Sequence, residues 1–206
     1  MTRRLFLGTL WWALPLAALA APTGNPAHDP GWQDLFRRLA PTVTRQAPFT
    51  EERYFPFRRQ PIVLAGVVRI VPGRGLSLDY SSPQSRIVIV DAQGVLVREG
   101  GGQRAAPADS RGQAATAALG AVMRFDPAEL ARDFELAGDR QGGAWTLTLT
   151  PRDPALAGSL RSIVVSGSQG HLGRIELNAG LRIEIILGSA IDGPVFPAAD
   201  LARYFR

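Results

Sequence analysis

The 206-residue chain contains no cysteine. That excludes disulfides, thiol chemistry and Cys-ligated metal, and it excludes a lipid-modified cysteine behind an N-terminal leader. Lysine is absent as well, so all 23 basic residues are arginine. The two histidines, His28 and His171, stand near no Ser or acid at a spacing that makes a triad or a metal site. Asp133 and Glu135, on different faces of an expected helix, read as solvated charge rather than as a carboxylate pair. Gly73-Arg74-Gly75 and Gly100-Gly101-Gly102 lack the strand–loop–helix setting of a phosphate loop. Against 18 acidic residues the arginines leave a net charge of +5, scattered rather than striped, which argues against a nucleic-acid partner. No cofactor or metal is implied.

What is present begins with an export signal. Arg3 and Arg4 precede an apolar run from Leu5 to Leu19, and Ala18-Leu19-Ala20 forms a small-residue cleavage site before Ala21. The run is short for a membrane span and Pro15 interrupts it, so residues 1–21 read as a cleavable signal peptide. The doubled arginine also fits the twin-arginine pattern, but with no cofactor to load before export the general secretory route is favoured. Residues 22–206 are then one periplasmic domain, long enough to be held by its core alone.

Thr23 to His28 reads as a mobile tail. Asp29-Pro30 caps a helix whose Trp32, Leu35, Phe36 and Leu39 recur at i, i+3, i+4 and i+7, and Pro41 ends it. From Phe49 the pattern turns to strands: Ile62–Val71, Leu76–Tyr80, Arg86–Val90 and Val95–Glu99, punctuated by turn residues. Gly100 to Gly112 reads as an irregular loop. A two-helix insert follows, with Leu119, Val122 and Met123 on one face of the first. Asp126 caps the second, with Glu129 placed to answer it and Leu130 and Phe134 as its apolar contacts. Trp145, Leu147 and Leu149 alternate with threonines, and Ser162–Ser166 is a further strand. Centring the last hairpin on Ala179 sets Leu177 opposite Leu181 and Ile175 opposite Ile183, with Glu176–Arg182 and Arg174–Glu184 ion pairs. Pro197 to Arg206 is expected to dock as a helical turn. The fold expected is mainly β with helices (α+β): a curved antiparallel sheet in a long meander, with helices as its only cover.

These patterns, in this order, resemble the LolA family, periplasmic carriers of outer-membrane lipoproteins. The motifs are Phe49-x-Glu51-x-Arg53, Pro61-Ile62 leading to Gly66, Pro72-Gly73 leading to Tyr80 and Pro83, and Trp145-x-Leu147-x-Leu149-x-Pro151. The resemblance implies an incomplete β-barrel covered by a helical lid, holding acyl chains with no covalent chemistry. Val67, Leu76, Leu78, Tyr80 and Trp145 are the expected lipid-binding residues, faced by Trp32, Leu35, Phe36 and Leu39 from the lid. Two positions depart from the family pattern. Glu51 stands where Gln is usual, and Val71 stands where a basic residue helps hold the lid shut, for which Arg69 and Arg74 are the neighbouring substitutes.

The reading is a monomeric carrier of lipoprotein acyl chains or another envelope lipid toward the outer membrane. The resemblance adds an inner-membrane ABC exporter and an outer-membrane acceptor as partners. The alternatives are an envelope sensor or adaptor of the same fold that binds a lipoprotein or membrane-protein partner, and, ranked below it, a pocket enzyme.

Overall fold

The apolar stripe of the first helix and the alternating strands share one buried surface. The computed structural model describes residues 25–105 and 111–206, so the expected leader lies outside the described residues. Helix α1 spans Pro30–Leu39. Strands β1 (Arg45–Tyr54), β2 (Ile62–Val71), β3 (Gly75–Ser82), β4 (Arg86–Asp91), β5 (Gly94–Glu99) and β6 (Gly102–Ala105) follow. Helices α2 (Arg111–Arg124) and α3 (Pro127–Asp133) interrupt the strands. After them come β7 (Phe134–Gln141), β8 (Ala144–Pro151), the short α4 (Pro154–Ala157), β9 (Leu160–Ser168), β10 (His171–Ala179) and β11 (Arg182–Leu187). The chain ends with β12 (Ile191–Asp192) and α5 (Ala198–Tyr204).

All strands join one antiparallel sheet ordered β6-β5-β4-β3-β2-β1-β11-β10-β9-β8-β7, with the short β12 beside β1. The sheet does not close, because its ends β6 and β7 do not pair. The expected single meander is therefore two meanders, joined where β1 pairs with β11. The chain crosses from one free edge to the other through α2 and α3.

Several expectations need correction. Residues 25–28 form a turn rather than a loose tail: Ala27 is buried, its N–H bonds the Asn25 side chain, and Gln33 donates to its carbonyl. The first strand starts at Arg45, ahead of Phe49. Gly102–Ala105, inside the expected loop, is an exposed edge strand. Glu135 lies on β7 and not on a helix, while Asp133 pairs with its neighbour Arg132. Asp126 caps α3 as expected, but the Glu129 carboxylate takes Arg124 instead of returning to the cap.

The last hairpin is shifted by two residues, with Leu177 opposite Ile183 and Ile175 opposite Ile185. A shift of two keeps every side chain on its face, so the sequence pattern does not distinguish the registers. It places Glu176 directly opposite Glu184, with Arg174 and Arg182 reaching both carboxylates at 2.9–3.7 Å. Each carboxylate thus sits between two guanidinium groups, which offsets the like-charge pairing.

The inner face of the sheet and the helices bury one contiguous core that includes Trp32, Leu78, Val122, Leu147, Ile163 and Ile175. The outer face carries a second buried group. Ile89 and Phe205 are fully buried there, and Arg98 donates to the carbonyls of Ala202, Arg203 and Phe205 at the end of α5. Arg206 clasps Asp91 with two bonds of 2.6 Å. The C-terminal segment therefore docks on the outside of the sheet, as a helix.

Candidate functional site

Register decides which residues face inward. Leu76, Leu78 and Tyr80 on β3 pair with Ile70, Val68 and Gly66 on β2, and all the side chains of that set share the inner face. Leu76, Leu78 and Tyr80 are each 4% exposed or less. Across the sheet, Trp145 is equally buried and meets the edge of Phe125 at 6.5 Å between ring centres. Phe125 joins α2 to α3 with a left-handed backbone, φ 49°, a conformation that costs a non-glycine residue about 1–2 kcal/mol. The strain is sustained because the ring it positions is 2% exposed.

Glu51 also points inward and is buried. Tyr80 Oη donates to one carboxylate oxygen at 2.6 Å and Arg53 Nε to the other at 2.6 Å. Burial, and then the nearby Glu51 charge, push the Tyr80 hydroxyl above the usual phenol range. The acid at the position expected to be Gln is thus a paired buried charge. Removing Arg53 would leave it uncompensated.

Helix α1 lies on the β7–β8 end of this face. Its Trp32, Leu35, Phe36 and Leu39 are all buried. Gly138 on β7 admits the Trp32 indole so closely that a Cβ there would collide with the ring. Arg140 reaches back to the Asp29 cap at 3.0 Å and stacks over Trp32. The other end of the helix is held by Arg45 on β1. Its Nη1 donates to the Leu39 carbonyl at 3.1 Å, while Nε and Nη2 grip the Asp192 carboxylate at 2.5 and 3.1 Å. The Leu39 carbonyl is one of the groups a helix end leaves unpaired, so the guanidinium satisfies it and complements the helix dipole. The Arg45 bonds to its carboxylate hold Asp192 below the usual carboxylate range, with a lesser contribution from His171.

Beside this clasp the inner face opens. A cleft of about 690 Å³ runs between the ends of α1 and α2, the start of β1 and the β9–β10 turn. Ala47, Val68, Ile70, Met123, Phe125 and Leu172 form its apolar wall, and Arg45, His171 and Asp192 stand at its rim. An adjoining hollow of about 270 Å³ touches Leu35, Arg38 and Trp145. Of the residues expected in the site, Leu39 lines the cleft and Leu35 and Trp145 border the hollow. Leu76, Leu78 and Tyr80 share the same face but are packed over.

Three expected residues lie elsewhere. Val67 pairs with Asp79 and faces outward, because alternation from Val68 turns it away from the helices. Arg69 is on that outer face too, bonded to Asp79 at 3.0 Å and stacked 3.8 Å from the Tyr204 ring, so it clamps α5. Arg74 is exposed in the β2–β3 turn. Arg45 and Arg140, which hold the two ends of α1, are not among the expected residues.

Among the described residues no helix is long and apolar enough to cross a membrane, and no three His, Asp or Glu gather as a metal site. No curated protein matches the sequence. The chain is similar to the solved structure of a LolA superfamily protein from Nitrosomonas europaea, at 10% identity and TM-score 0.47, covering 81% of this chain and 95% of that one. It is also similar to a putative outer membrane lipoprotein-sorting protein domain from Vibrio parahaemolyticus, at 10% identity and TM-score 0.47, over 83% and 94%. A third similarity is to the MucA/MucB complex of Pseudomonas aeruginosa, at 20% identity and TM-score 0.37, over 82% and 59%. The model of one family, described as outer membrane lipoprotein carrier protein LolA-like, matches residues 23–192, and to that family this open, helix-covered sheet belongs.

Proposed function

We propose that residues 22–206 form a single periplasmic carrier domain. It holds the acyl chains of a lipoprotein, or of a related envelope lipid, and moves them toward the outer membrane. The observation that carries this reading is the cleft of about 690 Å³ with its apolar wall, continuous with the buried inner face. Its size lies within the roughly 300–1,000 Å³ of small-molecule sites. Each methylene withdrawn from water into such a wall contributes about 0.8 kcal/mol. LolA-like proteins are generally binding and carrier proteins, which supports a role that needs no covalent chemistry. In this reading α1 is the lid, Trp32, Leu35, Phe36 and Leu39 are its inner surface, and Arg45 is its latch. Trp145 borders the floor that cargo reaches once α1 lifts, and Leu76, Leu78 and Tyr80 continue that floor along the same inner face toward α2. An inner-membrane exporter and an outer-membrane acceptor are the partners that the role requires.

The test is lipid extraction of the purified protein with mass spectrometry, paired with titration of a fluorescent fatty acid. Leu172 is half-buried on the cleft wall, so Leu172→Arg should leave the melting temperature within a few degrees while weakening the probe about tenfold or more. A clean extract together with no probe binding by the parent protein would sink the carrier reading.

A further inference from the structure

The hairpin joining β1 to β2 ends in Phe55-Pro56-Phe57-Arg58-Arg59, and its chemistry serves nothing inside the fold. Phe57 is 82% exposed. The Arg58 N–H donates to the Phe55 carbonyl at 3.0 Å, closing a turn in which Pro56 fixes the second position. That turn sets the Phe55 and Phe57 rings together, 5.4 Å between centres. Arg58 and Arg59 are exposed directly behind them, and among the described residues neither has an ion-pair partner.

The surroundings of the tip are cationic as well. Register places Arg182 opposite Tyr54, where it lies 3.8 Å from the ring centre. Arg161 donates to the Ala179 carbonyl in the neighbouring hairpin. The acidic groups nearby are already engaged: Glu52 accepts from Tyr54, Glu51 is buried with Arg53 and Tyr80, and Glu184 and Glu176 sit between Arg174 and Arg182. Glu52 keeps its charge, since its partner is a neutral hydroxyl, but Arg58, Arg59 and Arg161 have no ion-pair partner among the described residues, so the balance at this tip is positive.

We propose that this tip is a membrane-contact element whose partner is a bilayer surface bearing anionic phospholipid. The paired phenylalanines enter the boundary between headgroups and acyl chains, and Arg58 and Arg59 bond phosphate oxygens. A protein partner fits less well. Stable protein interfaces bury roughly 800 Å² on each side around a concave or flat core, whereas this apolar surface is two rings on a convex turn. Strand β1 runs from Ala47 at the cleft to Tyr54 at the foot of the tip, so the two are separated by roughly 23 Å at ~3.3 Å per residue. Contact through the tip therefore leaves the cleft at the far end of the strand, clear of the contact itself. The inference does not depend on what the cleft holds.

The test is co-sedimentation of the exported protein with vesicles of phosphatidylcholine alone and of phosphatidylcholine with equal phosphatidylglycerol. The parent should bind the anionic vesicles, less so in high salt. Phe57→Ser should weaken that binding about tenfold with an unchanged melting temperature. Arg58→Gln with Arg59→Gln should remove the preference for phosphatidylglycerol. Because the chain has no cysteine, Gln60→Cys, exposed beside the tip, carries one environment-sensitive label with both phenylalanines kept, and its emission should shift to the blue on anionic vesicles. Equal sedimentation of parent and Phe57→Ser would overturn the proposal, as would a label that stays in water while crosslinking to an envelope protein.

Discussion

Replacing Arg45 by Gln should loosen α1 while leaving the sheet intact. The Arg45 and Asp192 side chains are 25% and 54% exposed, so water screens their pairing and it contributes only about 0–1 kcal/mol. The bond from the charged guanidinium to the Leu39 carbonyl, at the helix C-terminus, adds roughly 1 kcal/mol. Burying Trp32, Leu35, Phe36 and Leu39 contributes far more, roughly 6–12 kcal/mol as an upper figure. Arg45 thus trims the opening equilibrium of the helix and does not anchor it alone. A loss of about 1–2 kcal/mol corresponds to about 5–30-fold more opening. Hydrogen exchange read by mass spectrometry should show that acceleration in residues 30–40, including the Ala40 N–H that bonds the Phe36 carbonyl, with β8 and β9 unchanged. Acid offers a second handle on the same pair. Asp192 has a depressed folded pKa, so its contribution is full above the ordinary carboxylate pKa and is lost as pH falls through the folded value. Exchange in α1 should then rise only below the usual carboxylate range, and Arg45→Gln should erase that rise. Unchanged exchange in α1, or equal loosening across the sheet, would refute the assignment of Arg45 as a latch.

The two other positions test the packed face directly. Leu78→Arg places a charge at a 4% exposed site between Val68 and Val88, so it should cost about 3–5 kcal/mol and lower the thermal midpoint severely. A variant that melts like the parent would mean that Leu78 faces open space. Gly138→Ala drives a methyl into the Trp32 indole and should cost about 1–3 kcal/mol of overpacking. Its trace should be a changed near-ultraviolet circular dichroism band with strand content preserved, and an unaltered band would contradict the close approach.

The sequence revealed elements wherever one face was apolar and the other wet. Helix α1 was legible from its stripe and its Asp29-Pro30 cap, and β3 and β8 from their alternation. Strand β6 was not, because its four residues are all exposed and edge strands need no apolar face. Strand β7 was hidden behind the strong α3 cap, which made Leu130 and Phe134 look like one helix face. The outward side of Val67 is not legible, because Ile62–Val71 is apolar on both faces and alternation there chooses no side. Arg69, the one charge within that strand, marks the outward set. The Arg45 clasp was beyond reach, since it joins residues 147 positions apart in the chain. No local pattern encodes a contact that only the pairing of β1 with β12 creates.

The unpaired edges of the sheet give the molecule mechanical compliance. A closed barrel fixes its bore through strand number and shear, and widening it means breaking a ladder of backbone hydrogen bonds. Here the ladder runs unbroken from β6 to β7, and the gap between them is spanned by α2 and α3. Those helices touch the sheet through Leu119, Val122, Met123 and Leu130, which are apolar side chains. The interior can therefore enlarge by sliding at side-chain contacts without breaking that ladder. Stiffness resides in the strands and give in the helices, so the frame can hold its shape while its cover moves.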